Sequence, residues 1–147
     1  MKQLSQIACF SLLAFSSLCA SAQCKGFTKR NCLPELAPYM SNGQLNAAQF
    51  VPGEKAQLEL NFNKGLSYRV LICADEYLEG INYSISDKAT NQLYHSDTLK
   101  DVSSFMDLKV KQSGPLTLNI DVPEPAKKNT TGIVRSGCVT ILVGFKE

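Results

Sequence analysis

Three acidic side chains stand close together in this sequence, and they are the first residues that could do chemistry. Asp75, Glu76 and Glu79 form a turn with Tyr77 between them. Such a turn can hold a hard cation, and a pair of carboxylates can also hydrolyse a glycosidic bond. The D-x-D-x-D-G spacing of a calcium loop is missing, and acidic turns between strands are common. We therefore expect no metal and no other cofactor at this turn.

The single histidine, His95, is the obvious choice for a general base. It follows Leu93-Tyr94 and stands close to Asp97 and Asp101. Neither a serine nor a cysteine lies in a nucleophile motif such as G-x-S-x-G. The sequence therefore assigns no catalytic residue. A small secreted hydrolase or metal-dependent enzyme, using the acidic turn near Asp75 with His95, is the alternative to a binding protein.

The tyrosines point to binding rather than to catalysis. Tyr68 and Tyr83 fall at alternating apolar positions and are expected in the core, whereas Tyr77 and Tyr94 are expected at the surface. Together with the acidic turn and the histidine, they complete the candidate binding residues, which are Asp75, Glu76, Tyr77, Glu79, Tyr94 and His95.

One short motif indicates a modification. Asp97-Thr98-Leu99 resembles the Asp-Thr-aliphatic acceptor of some bacterial O-glycosylation systems. Thr98 is therefore a candidate glycan site, and an unshifted intact mass of the protein from its own host would contradict this.

The first 22 residues have the features of a secretory signal peptide. Lys2 provides a positive start, Ile7 to Leu18 an apolar stretch, and Ala20-Ser21-Ala22 a cleavage motif. A lipoprotein is the rival interpretation, but Leu18 and Gln23 precede the nearby cysteines where lipidation needs a small residue. No later segment approaches the roughly 20 apolar residues of a transmembrane helix. We expect cleavage after Ala22 and a periplasmic or secreted protein.

The mature chain keeps 125 of the 147 residues and four cysteines, Cys24, Cys32, Cys73 and Cys138. An even count suits disulfide bonds in an oxidising compartment, and four cysteines can pair in three ways. We favour Cys24 with Cys32 and Cys73 with Cys138. In the alternative, Cys24 or Cys32 joins the N-terminal arm to Cys73 or Cys138.

The charge and the length of the mature chain limit its partners. Removal of Lys2 leaves 14 basic and 13 acidic residues, a net charge of +1, so we expect no nucleic acid to bind. A chain of this length suits one domain. The expected partner is an envelope or extracellular protein or a glycan, and the oligomeric state is left open.

Alternation of apolar and polar residues predicts the fold. The run at 56–62 has apolar residues at every second position, as expected of a strand with one wet face, while 68–74 is apolar on nearly both faces and should be covered on each side. Strand-like runs also occupy 81–86, 93–95, 105–110, 116–122 and 138–145. The alternating run at 81–86 could serve as an edge strand that pairs with a neighbouring protein.

These runs, with no amphipathic helix between them, predict an all-β fold, a single antiparallel sandwich of about seven or eight strands. Residues 53–147 would form the sandwich domain, with residues 123–136 as a long surface loop. Residues 23–52 contain Pro34, Pro38 and Pro52 and predict an irregular N-terminal arm, with one helical turn around 35–40.

Several segments together resemble the bacterial pre-peptidase C-terminal type of β-sandwich. The resemblance rests on residues 68–75, 81–87 and 113–118, and extends over about residues 54–145. It implies a jelly-roll-like sandwich and a non-catalytic accessory or binding role. The ending at 137–145 is also similar to small exported envelope proteins of Gram-negative bacteria, a likeness that implies no activity. We therefore expect an exported, non-catalytic binding module.

Overall fold

The protein is an antiparallel β-sandwich with a helical arm on one face. The computed structural model describes residues 20–124 and 132–147. The arm begins with helix α1 (Ala20–Phe27), a π-helical turn (Thr28–Cys32) and a 3-10 turn (Leu33–Leu36). The described residues then form nine strands: β1 (Met40–Ser41), β2 (Asn46–Phe50), β3 (Lys55–Phe62), β4 (Ser67–Ala74), β5 (Asn82–Asp87), β6 (Leu93–Thr98), β7 (Ser103–Lys109), β8 (Gly114–Asp121) and β9 (Gly137–Lys146).

The strand order confirms a jelly-roll-like sandwich. Sheet A has the order β1-β9-β4-β7, with β2 also paired to β9, and sheet B has the order β3-β8-β5-β6. Four antiparallel pairs are nested along the chain, namely β2 with β9, β3 with β8, β4 with β7, and β5 with β6. The pairs β4 with β9 and β5 with β8 then join this long ribbon to itself. Such a rolled ribbon is the architecture of a double-sheet jelly roll.

The main core lies between the two sheets and follows the alternation in the sequence. In sheet B, Leu58 pairs with Leu118 and Leu60 with Leu116, so their side chains share the inner face. Leu118 is fully buried there. Burial of one face per strand is the physical reason for the period of two in β3 and β8.

Strand β4 is covered on both faces, as its nearly continuous apolar sequence predicts. Val70 and Ile72 face the main core, whereas Leu71 and Cys73 belong to a second, outer cluster. The other buried members of this outer cluster are Cys32, Leu36, Tyr39 and Leu142. The N-terminal arm therefore supplies the second cover of sheet A.

The arm is more ordered than its prolines and turn residues predict. Its 3-10 turn begins at Leu33, slightly before the predicted helical turn, and β1 and β2 both pair with β9. The arm can pack closely on β9 because residue 144 of β9 is a glycine. A Cβ added to Gly144 would lie only 2.7 Å from the Cβ of Tyr39 in the arm. Thr28 and Thr140 also share a buried hydrogen bond of 2.8 Å between the arm and β9.

The disulfide pairing favoured from sequence is wrong. Cys24 is bonded to Cys138, with their Cα atoms 5.4 Å apart, while Cys32 and Cys73 are buried thiols. This matches the alternative in which the arm is joined to the body. The rolled topology places the start of β9 beside the arm, which the sequence separation of 114 residues does not reveal.

The interpretation of residues 81–86 as an edge strand is wrong. The run at 81–86 forms β5, but β5 lies between β8 and β6 and is not an edge strand. The edge strand beside it is β6.

Most of the predicted signal peptide lies outside the described residues, and among the described helices none is long and apolar enough to cross a membrane.

Candidate binding site at one end of the sandwich

Four connecting segments meet at one end of the sandwich, which we call the loop end. They are the β2–β3 turn (51–54), the β4–β5 loop (75–81), the β6–β7 loop (99–102) and the described parts of the β8–β9 loop (122–124 and 132–136). A jelly roll places alternate connections at the same end, so segments far apart in sequence become neighbours. Loops carried on a rigid scaffold are common positions for binding residues.

A groove of about 1060 Å³ lies at the loop end, and all four segments line it. Its lining includes the buried apolar side chains of Leu78, Leu99 and Val122. Four of the candidate binding residues, Asp75, Glu76, Tyr77 and Glu79, also line the groove. The lining of the groove therefore contains both apolar and charged side chains.

The groove is acidic. Among the residues that the structure describes, five lining residues carry carboxylates and one carries an amine, which gives this part of the lining a formal charge of −4. The carboxylates are those of Asp75, Glu76, Glu79, Asp101 and Glu124, and the amine is that of Lys100. A concave surface lined by one sign of charge concentrates the field and attracts ligands of opposite charge. This groove therefore favours a cationic ligand.

Backbone hydrogen bonds hold the four segments against one another. The amide of Gly53 donates to the carbonyl oxygen of Val122 at 2.8 Å. The amide of Asp75 donates to the carbonyl oxygen of Cys138 at 2.9 Å. Ala74 likewise donates to Val102 at 2.8 Å. These bonds join each loop to a segment distant in sequence. The groove is therefore pre-formed, which reduces the entropy lost on binding.

The rim of the loop end carries exposed apolar and aromatic side chains. Tyr77 and Val102 are each 50% exposed, and Ile133 and Val134 of the β8–β9 loop are also exposed. The guanidinium of Arg135 lies 5.1 Å from the centre of the Tyr77 ring, which links this loop to the acidic turn. Exposed apolar and aromatic side chains grouped in one region are common at protein-binding surfaces.

His95 and Tyr94 lie away from this groove. Both are on β6, where His95 pairs with Ile85 and its ring stacks on the buried ring of Tyr83 at 5.8 Å. Tyr94 is exposed on the same edge strand. Neither residue lines the groove, and Asp97 does not either. The convergence of the acidic turn with His95, which the enzyme alternative requires, is therefore not formed.

The sequence analysis expected no metal at the acidic turn and named Thr98 as a candidate glycan site. Among residues 20–124 and 132–147, no group of three or more histidine, cysteine or acidic side chains is arranged to hold a metal ion. Thr98 lines the groove and is half-buried, and its hydroxyl donates a hydrogen bond of 2.7 Å to Asn82. A glycan on Thr98 stays a prediction.

Sequence reasoning missed the residues that complete the groove. Asp101 was considered only as a neighbour of His95, and Lys100, Val102 and Glu124 were not singled out. The order of strands in a jelly roll could have revealed these residues. In a jelly roll, the connections after β2, β4, β6 and β8 meet at one end, so acidic residues in those connections would be expected to converge.

Comparison with known proteins does not assign the chain to a family. No protein-family model matches it, and neither does any curated protein sequence. The resemblance to the pre-peptidase C-terminal type therefore stays a prediction beyond its sandwich fold.

Two solved structures are similar in part. The first is Aeromonas hydrophila PliG, a periplasmic inhibitor of g-type lysozyme, with 10% identity, a TM-score of 0.48, and coverage of 74% of this chain and 89% of that one. The second is a de novo designed double-stranded β-helix, with 14% identity, a TM-score of 0.35, and coverage of 70% and 99%. With TM-scores this low, neither similarity identifies a shared function.

Proposed function

We propose that this protein is an exported, non-catalytic module that binds a basic segment of an envelope or extracellular protein in the groove at its loop end. The observation that carries the proposal is the lining of the groove, where the described residues include five carboxylates and one lysine beside apolar side chains. The resemblance to pre-peptidase C-terminal sandwiches implies a similar non-catalytic role.

The chemistry of the groove fits the side chains of lysine and arginine. These side chains have an apolar stem and a charged head. The stem would pack on the exposed side chain of Val102, and the head would contact carboxylates such as those of Glu76 and Asp101. A charge-assisted hydrogen bond of this kind is about twice as strong as a neutral one. Binding should therefore weaken as the ionic strength rises.

A protein partner is favoured over a glycan. Glycan sites use the faces of aromatic rings, and Arg135 lies over one face of the Tyr77 ring, which reduces the ring surface available to a sugar. The exposed side chains of Val102, Ile133 and Val134 add apolar area that suits a protein surface. The acidic lining adds selectivity for a basic segment through charge complementarity.

Export is supported by the chemistry of the cysteines as well as by the signal motif. The disulfide between Cys24 and Cys138 closes 114 residues of chain, and such bonds persist in oxidising compartments. The predicted cleavage after Ala22 would leave Cys24 near the new N-terminus, where it holds the start of the chain against β9.

Site-specific photo-crosslinking in the native host tests this function. A photoreactive residue at Val102, on the rim of the groove, should crosslink to a protein with a basic surface. The same residue at Leu93, which is exposed on β6, serves as the comparison position. Crosslinks from Val102 but not from Leu93, with an intensity that falls as salt is added, would support binding at the loop end.

Charge-reversed variants separate a specific groove effect from a change in net charge. Glu76→Lys/Asp101→Lys should abolish the crosslink from Val102. Glu59→Lys/Glu147→Lys changes the net charge equally at exposed positions outside the groove and should leave it intact. An undiminished crosslink in the groove variant, or an equal loss in both variants, would refute the proposal.

A further inference from the structure

The two cysteines outside the disulfide lie side by side at the contact between the arm and sheet A. Cys32 ends the π-helical turn of the arm, and Cys73 lies on β4. Both are buried, with 0% and 1% exposure, and both belong to the outer cluster. The π-helical turn packs directly on β4, so the two thiols lie in one small cluster from which water is excluded. The two cysteines, one on each of two packed elements and both in the same buried cluster, are placed to bond across that contact.

We propose that Cys32 and Cys73 form a second disulfide, which joins the arm to β4 as Cys24–Cys138 joins it to β9. The inference rests on the export that is part of the proposed function, because the bond needs an oxidising compartment. The two thiols lose two protons and two electrons, and a sulfur–sulfur bond forms. The electrons reduce the disulfide of a thiol–disulfide oxidoreductase, which leaves as a dithiol.

The location favours a structural disulfide over a reactive thiol pair. Interaction with the Cys32 thiol and burial raise the pKa of the Cys73 thiol, so that it stays protonated in the folded protein. Thiol–disulfide exchange requires a thiolate and access for the oxidant. The second bond should therefore form before the arm covers sheet A, during folding after export.

The existing disulfide supports this pairing of Cys32 with Cys73. Cys24 lies eight positions before Cys32 in the arm, and its bond to Cys138 holds the arm over sheet A. Thr28, between them, is buried and donates a hydrogen bond of 2.8 Å to the carbonyl oxygen of Cys24. The chain between the two cysteines is therefore compact, and Cys32 is held close to β4. Neither a 24–32 nor a 73–138 bond fits this arrangement.

Peptide mapping of the exported protein tests the inference directly. The protein is taken from its native compartment, denatured with N-ethylmaleimide and no reductant, and digested with trypsin. Cleavage after lysine and arginine places each cysteine on its own peptide: one ending at Lys25, and those of residues 31–55, 70–88 and 136–146. We expect no labelled cysteine, and a linked pair of peptides 31–55 and 70–88 that separates after reduction.

The Cys24–Cys138 bond is the internal control. If the peptide ending at Lys25 is linked to 136–146 while Cys32 and Cys73 both carry the label, this inference is overturned and the proposed export stands. If all four cysteines carry the label, the oxidising compartment is overturned together with the second bond. A link between Cys32 and either Cys24 or Cys138 also overturns the inference.

Discussion

The bond between Cys24 and Cys138 should be a major source of stability, because it closes most of the chain into one loop. In the chain-entropy model, a loop of 114 residues corresponds to about 5 kcal/mol at room temperature. If Cys32 and Cys73 are also bonded, the effective loop shortens to about 70 residues, and the contribution falls only to about 4 kcal/mol. The prediction therefore does not depend on the second disulfide.

The perturbation is the replacement of one or both bonded cysteines by alanine. Cys24→Ala, Cys138→Ala and the double variant should each lower the free energy of unfolding by about 4 to 5 kcal/mol. With a urea m-value of about 2 kcal/mol per molar, the midpoint should fall by about 2 M. Urea denaturation followed by circular dichroism measures this shift, and any change in the m-value reports on the compactness of the unfolded chain.

The single variants serve as controls for each other. A disulfide needs both partners, so losing either cysteine should cost nearly as much as losing both. A loss below about 1 kcal/mol in all three variants would refute the reasoning, because it is well under the entropy of closing such a loop. Clearly additive losses in the double variant would show that packing of the sulfur atoms, and not the covalent bond, is responsible.

Three further changes test the outer face of sheet A by urea denaturation. Gly144→Ala should lower the free energy of unfolding by about 1 to 3 kcal/mol, because its Cβ would lie 2.7 Å from that of Tyr39. Gly114→Ala, with no atom within 4 Å of its added Cβ, should not lower it, and equal losses would contradict the close contact of the arm. Leu71→Ala should cost about 2 to 5 kcal/mol, because Leu71 is fully buried in the outer cluster, and a loss under about 1 kcal/mol would place the arm off the sheet. Hydrogen bonds from Arg69 lower the pKa of Asp107 in the folded protein below 3.8, the ordinary pKa of an aspartate. These bonds therefore stabilise the fold fully above pH 3.8, and the stabilisation is lost as the pH falls through the lowered pKa of the folded protein. Asp107→Asn should cost no more than about 1 kcal/mol at neutral pH, because that carboxylate is 44% exposed, and the gap to wild type should close in acid; a gap that widens there would refute the assignment.

The arm illustrates what sequence could not predict. Residues 46–50 form β2, although their alternation is weak and Pro52 follows closely. The strand exists because β9 offers a free edge of backbone donors and acceptors on that side of sheet A. Such an edge is created only when the ribbon rolls up. Local pattern therefore gave no reason to expect a strand there.

The candidate binding site was also only partly predictable from the sequence. The acidic turn was visible in the sequence because its residues are neighbours in the chain. Asp101 and Glu124 join it only because three other connections end at the same end of the sandwich. His95 lies three residues before Thr98 on β6, about 10 Å back along the strand, and so stays outside the groove.

The sequence by itself determined the strands from β3 to β9, the double-sided burial of β4 and the sandwich class. Burial of one face of a strand is a local property that repeats at every second residue. The order of apolar side chains in the sequence therefore predicts it directly. The tertiary structure alone decided which cysteines meet, where the arm lies and which loops share the groove. Those contacts join residues as far apart as 24 and 138, and they depend on how the whole ribbon closes on itself rather than on any neighbouring residue.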